Sequence, residues 1–133
     1  MSMTRRQIRE EIFKALFQSL FHSSDDIEGQ IRIFLDGEET PVSDEDMKYI
    51  EEKTGDIVKN LPEIDSLLNE VSEGWSTKRM SRVDLTLLRL AVYEMKYEKL
   101  PEGVAINEAV ELAKKYGAEN SPAFVNGILG KLA

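Results

Sequence analysis

The chain has 133 residues, 17 of them basic and 25 acidic for a net charge of −8, with no cysteine and a single histidine. That length suits one domain able to bury roughly two thirds of the surface its unfolded form exposes. The missing cysteines exclude disulfides, thiolate zinc sites and thiol nucleophiles. The acidity argues against a protein that coats nucleic acid by bulk electrostatics, yet the average conceals an asymmetry. Residues 1–22 carry four basic and two acidic side chains, residues 23–73 four and sixteen, and residues 74–133 nine and seven, so the net charges are +2, −12 and +2. Both ends are locally free to face an anion while the middle repels one, which makes weak bulk affinity compatible with a directional site. Solubility alone would equally account for an acidic middle. Arg5, Arg6, Arg9, Glu10, Glu11 and Lys14 interrupt the first twenty residues, so neither a signal peptide nor a membrane span is expected there, and the default is a cytoplasmic protein.

Apolar residues recur every three or four positions rather than alternating, which predicts an all-helical chain. The first helix is expected from about Arg5 to Phe21, with Ile8, Ile12, Leu16 and Leu20 on one stripe. Extended backwards, that stripe meets Arg5 and Arg9, which cannot sit in a core unpaired. The first turns are therefore expected to overhang the packed body or fray, presenting Arg5, Arg6 and Arg9 as forked donors suited to phosphates. Their other reading is solubility, or pairing with Glu10 and Glu11. Ser23 to Asp26 supplies caps for a second helix through Ile27, Ile31, Phe34 and Leu35, ended by Gly37. After a loop to Ser43, the pair Ser43 and Asp46 resembles a capping box for a third helix reaching about Asn60. Pro62 starts a fourth helix through Ile64, Leu67, Leu68 and Val71, with Gly74 as its end.

The fifth helix, residues 81–97, is the most apolar. Ser81 and Asp84 again read as a capping box, and Val83, Leu85, Leu87, Leu88, Leu90, Ala91, Val92 and Met95 leave little polar circumference, which puts this helix at the centre of its neighbours. Residues 102–116 form a sixth helix, where Ala105, Ala109 and Ala113 admit a close neighbour and Gly117 is expected to be a left-handed terminator. The seventh helix starts with Ser121 as N-cap and Pro122 in the first helical position, then continues through Phe124, Val125, Ile128, Leu129 and Leu132. There is no internal repeat and no long linker. Two small sub-bundles sharing a core, about 1–74 and 75–133, are the economical architecture.

Catalytic chemistry finds little support. His22, the only imidazole, falls at the end of the first helix, where it suits the dipole and lacks a second histidine at helical spacing for a metal. No Gly-rich phosphate loop, serine elbow or dinucleotide fingerprint occurs, so no catalytic residue, metal or cofactor is expected. Anion-friendly points are easier to find. Lys78, Arg79 and Arg82 approach the start of the fifth helix, against its dipole, which hints at another use. Trp75 reads first as a core plug and second as a base-stacking platform. In GAENSP, residues 117–122, a helix N-terminus with Asn120 and Ser121 is followed by Phe124, a set able to receive single-stranded RNA by stacking and edge readout. From spacing alone, Phe124 is equally an ordinary core aromatic.

RRQIREEIFKALFQ (5–18), GWSTKRMSRVDLTLLRLAVYEM (74–95) and VAINEAVELAKKYGAENSPAFVNGILGK (104–131) together resemble the NusB family of bacterial transcription antitermination factors. The third block is the most specific, and residues 23–73 match only in helix pattern. The resemblance implies a helical fold of two sub-bundles. It further implies binding of boxA-type single-stranded RNA jointly with NusE, the ribosomal protein that doubles as a Nus factor, in the transcription elongation complex on ribosomal RNA operons. By position, Arg5, Arg6 and Arg9 look like the family's arginine-rich helix, and Asn120, Ser121 and Phe124 like its C-terminal RNA edge. Phe17 stands where many members have tyrosine, Gln7 and Ile8 thin the arginine cluster, and Asn120 replaces a frequent aspartate, removing a negative charge near the RNA path. The sequence runs to Ala133 without a basic tail. Two other readings are a domain like the RNA-recruiting one of some ribosomal RNA cytosine methyltransferases, although no Rossmann-like domain follows, and a homo-oligomeric helical protein-interaction scaffold, such as a homodimer, without a direct RNA role.

Overall fold

The computed structural model describes residues 3–19, 42–72 and 76–133. These form six α-helices and one 3-10 turn, with no strand among the described residues. In chain order they are α1 (Arg5–Ser19), α2 (Asp44–Lys59), α3 (Leu61–Val71), the turn Thr77–Arg79, α4 (Arg82–Lys96), α5 (Glu102–Tyr116) and α6 (Ser121–Leu132). The helix expected through residues 27–37, together with His22, Gly74 and Trp75, lies outside the described residues. The chain divides into two compact units, Met1–Lys59 and Asn60–Ala133. The expected boundary lay near residue 74, whereas α3 packs on α4 and α6 and so groups with the second unit.

In the first unit, α1 owes its start to Thr4. The Thr4 hydroxyl accepts the Gln7 N–H at 3.1 Å, and the Gln7 side-chain carbonyl accepts the Thr4 N–H at 2.8 Å, a reciprocal capping box. The first turn is thus held rather than frayed. At α2, Ser43 Oγ accepts the Asp46 N–H at 3.1 Å, and Asp44, Glu45 and Asp46 place negative charge where the helix dipole favours it. The Asp46 carboxylate also accepts the Met3 N–H at 3.1 Å, which ties the starts of α1 and α2 together. The two helices pack through an apolar set that includes Ile12, Phe13, Ala15 and Leu16 from α1 and Met47, Ile50 and Ile57 from α2, all buried. Each large aliphatic among them contributes about 1.5–3 kcal/mol by leaving water.

The second unit is built around α4. Ten of its fifteen residues are buried, and it contacts α3, α5 and α6. Its N-cap is Ser81, whose hydroxyl accepts the Asp84 N–H at 3.1 Å. Arg89 on α4 holds Asp65 on α3 by two parallel bonds, Nε to Oδ1 at 2.9 Å and Nη2 to Oδ2 at 2.7 Å, a geometry only a guanidinium supplies. Lys96, in the last turn of α4, donates to the Leu132 carbonyl at 3.2 Å, where a cation suits the C-terminal end of α6. Ala105, Ala109 and Ala113 are all buried along α5, which packs on both α4 and α6.

The turn between α5 and α6 departs from expectation in two ways. Gly117 is extended, with φ −91° and ψ −175°, so a left-handed terminator is not its role. Glycine is needed there for space: a Cβ would lie 2.5 Å from Ser121 Cβ and 2.8 Å from the Ala113 carbonyl oxygen. The N-cap of α6 is Asn120, not Ser121, because the Asn120 carbonyl accepts the Phe124 N–H at 3.1 Å while Ser121 already lies in the helix. Ser121 is committed elsewhere, since its hydroxyl accepts the Ala118 N–H at 2.9 Å and its own N–H reaches the Ala118 carbonyl at 3.0 Å.

Candidate nucleic-acid interface

The nine residues singled out from the sequence fall into three groups. Arg5 and Arg6 are exposed in the first turn of α1, and Arg9 is half-buried one turn on. The stripe that buries Ile12 and Leu16 is therefore only partly covered at Arg9 and open by Arg5. Since the Thr4–Gln7 box fixes this turn, Arg5 and Arg6 are presented from a formed helix, which lowers the ordering cost of meeting phosphates.

Lys78 and Arg79 occupy the 3-10 turn and Arg82 opens α4; all three are exposed. Two anchors position the turn. The Asn69 side-chain oxygen on α3 accepts the Thr77 N–H at 2.9 Å, and Met80, only 8% exposed, plugs the turn into the core. Three cations are thereby displayed within five residues on a short, doubly fastened segment, all N-terminal to Asp84 in the first turn of α4.

At α6, Asn120 is exposed and its side chain makes no capping bond, which leaves the amide for other work. Phe124 is half-buried, one helical turn further along the same face. Ser121 is 2% exposed, and its hydroxyl shapes the turn instead of lining the surface. The edge is thus an amide beside a partly covered ring, held in place by a buried serine. Among the described residues no helix is long and apolar enough to cross a membrane, and no group of three or more His, Asp or Glu side chains is gathered to hold a metal.

Two of the fasteners were not anticipated from the sequence. The Thr4–Gln7 pair carries a readable signal, a Thr followed three residues later by Gln ahead of an apolar helix. Asn69 carries none, because its partner Thr77 is met only after α3 has closed on the turn.

The chain is similar to known proteins along nearly its whole length. The NusB family model matches residues 6–133. The transcription antitermination protein NusB of Agathobacter rectalis is 52% identical over 132 residues, covering 98% of this chain and all of the relative. Among solved structures, T. maritima NusB superposes with a TM-score of 0.88 at 42% identity, covering 100% of this chain and 92% of the other. A structure of the antitermination factors NusB and NusE in complex with dsRNA superposes with a TM-score of 0.80 at 25% identity, covering 96% of each chain. With a family match running from Arg6 of α1 to the last residue, and these identities along nearly the whole length, the chain belongs to the NusB family.

Proposed function

We propose that the chain is a non-enzymatic transcription antitermination factor that binds boxA-type single-stranded RNA together with NusE, in the transcription elongation complex on ribosomal RNA operons. Its place of work is then the bacterial cytoplasm. The observation that carries the reading is the capped first turn of α1, which displays Arg5 and Arg6 to solvent in a NusB-family chain whose structural relative was solved with NusE and RNA. In this reading Arg5, Arg6 and Arg9, with Lys78, Arg79 and Arg82, hold phosphates, while Asn120 and Phe124 meet unstacked bases and buried Ser121 keeps them in register.

The test is fluorescence anisotropy of a short labelled boxA-like RNA, beside a scrambled RNA of equal composition, with and without NusE. Preferential binding that tightens with NusE is expected. With roughly three to five phosphate contacts, log affinity falls against log salt with a slope of about −2 to −4. Equal binding of both RNAs in both conditions, by folded protein, would leave a helical scaffold acting through protein contacts. A sizing column run with and without RNA then shows whether that scaffold is a homodimer.

A further inference from the structure

Asn69 stands exposed near the end of α3, beside the basic turn that it fastens. The bond that fastens the turn also fixes how this side chain faces. Thr77 contributes an N–H, which only an oxygen can accept, so Oδ1 is committed to the turn at 2.9 Å. In the same rigid plane Nδ2 carries its two hydrogens away from that bond, and Asn69 makes no other polar contact with the described residues. What remains of the side chain is a donor pair held in one orientation, next to Lys78 and Arg79, which are exposed as well. The charge around it suits an anion. On a helix of 3.6 residues per turn, Pro62, Asp65, Ser66 and Asn69 share one face of α3, whereas Glu63 and Glu70 lie about 100° or more round from Asn69. Asp65, the carboxylate on that face, is already held by both arms of Arg89.

We infer that Asn69 is a phosphate-binding residue, with Nδ2 donating to a phosphate oxygen of the RNA strand that Lys78 and Arg79 hold. The inference rests on the RNA-binding reading and gives a contact to a residue which that reading uses only as scaffold. The anchor itself requires no more than an acceptor, which an aspartate would also supply. Asparagine supplies it without setting a carboxylate against the two cations, and adds donors where those cations draw an anion. Amide side chains contact phosphates alongside lysine and arginine, and this one is ordered before RNA arrives, so little is lost in fixing it on binding. Its signature differs from that of the cations. A neutral donor displaces no counterion, so its loss lowers affinity at an unchanged salt slope, and for every sequence alike.

The experiment follows the Asn69 side-chain amide by NMR, its signals identified by their loss in Asn69→Ala, while the protein, with and without NusE, is titrated with single-stranded boxA-like RNA. Anisotropy with boxA-like and scrambled RNA is measured for the wild type, Asn69→Ala, Thr77→Pro and the double variant, with circular dichroism to verify each fold. Thr77→Pro removes the anchoring N–H and keeps the amide; proline is tolerated as the first residue of the turn, after an extended Ser76 with φ −74° and ψ 158°. With the anchor gone, Asn69→Ala has only the donors left to remove. The inference expects the amide signals to shift along the RNA isotherm. Asn69→Ala should weaken both RNAs about tenfold in the wild type, the share of one hydrogen bond to a charged group, and about threefold in the Thr77→Pro background, where the amide is present but no longer held. RNA binding by the wild type with silent amide signals, and equal affinities for Thr77→Pro and the double variant, would reduce Asn69 to an anchor and leave the RNA reading intact. Signals that answer NusE alone would overturn the inference in favour of a protein contact. Absence of RNA binding in every condition would overturn both the Asn69 contact and the RNA reading. The titration uses the unaltered chain, so it decides even where a variant fails to fold.

Discussion

At Gly117 a single hydrogen atom decides whether α5 and α6 can turn on one another. A methyl group there would collide with the Ala113 carbonyl and with the buried Ser121, neither of which can swing away. Gly117→Ala is expected to cost about 1–3 kcal/mol in urea unfolding, the range of an overpacked site. Gly55→Ala, in α2 where a Cβ meets nothing, is expected to gain about 0.4–1 kcal/mol, so the pair separates crowding from ordinary helix propensity. Phe124 presents the opposite case, a ring neither sealed nor open. If a base stacks on it, Phe124→Ala weakens RNA binding by roughly 1–3 kcal/mol in anisotropy titrations. A lower melting temperature with unchanged RNA affinity would instead return the ring to the core of α6.

Helix ends connect the fold to the interface. Thr4 touches no RNA in the proposed reading, yet it determines whether the turn bearing Arg5 and Arg6 is formed. Thr4→Ala is expected to remove about 0.5–2 kcal/mol from the cap. RNA affinity should fall modestly while the salt slope stays put, because no charge has been lost. Circular dichroism and anisotropy at several salt concentrations check both halves. Such ends also mark what was legible in the sequence. Period and capping pattern located α2 through its Ser43–Asp46 pair, α4 through its Ser81–Asp84 pair and α5 from residues 102 to 116, because these features are local. The Asn69 anchor of the basic turn and the inward turn of Ser121 depend on contacts between elements, which no local pattern encodes. Ser121 was read as an exposed cap because Ser before Pro is the usual signal; the crowded approach to Gly117 draws it inside and passes the cap position to Asn120. Exposure of Arg5 and Arg6 could be foreseen, since a core does not take up a charged stripe, whereas a groove that lies between α5 and α6 could not, since it exists only once the two helices are paired.

For the molecule as a whole, the net charge of −8 opposes RNA and the local cations favour it. Added salt weakens both effects, so the measured slope is shallower than the number of phosphates held would give alone. The slope of a variant relative to the parent is more informative, because the acidic residues 23–73 are common to both. Replacing Arg5 and Arg6 together by glutamine removes two charges from the first compact unit, and replacing Lys78 and Arg79 removes two from the second. Each pair is expected to reduce the magnitude of the slope by about 1.4, at about 0.7 per contact to a single strand, and to weaken every RNA alike since phosphates carry no sequence. Anisotropy from low to moderate salt on the two double variants measures this directly. A pair whose slope matches the parent is not holding phosphates, and the RNA path must then be drawn through the other group alone. If both pairs flatten the slope while the preference for boxA-like over scrambled RNA persists, the charges serve to hold the strand and the choice of sequence falls to the neutral residues Asn120 and Phe124.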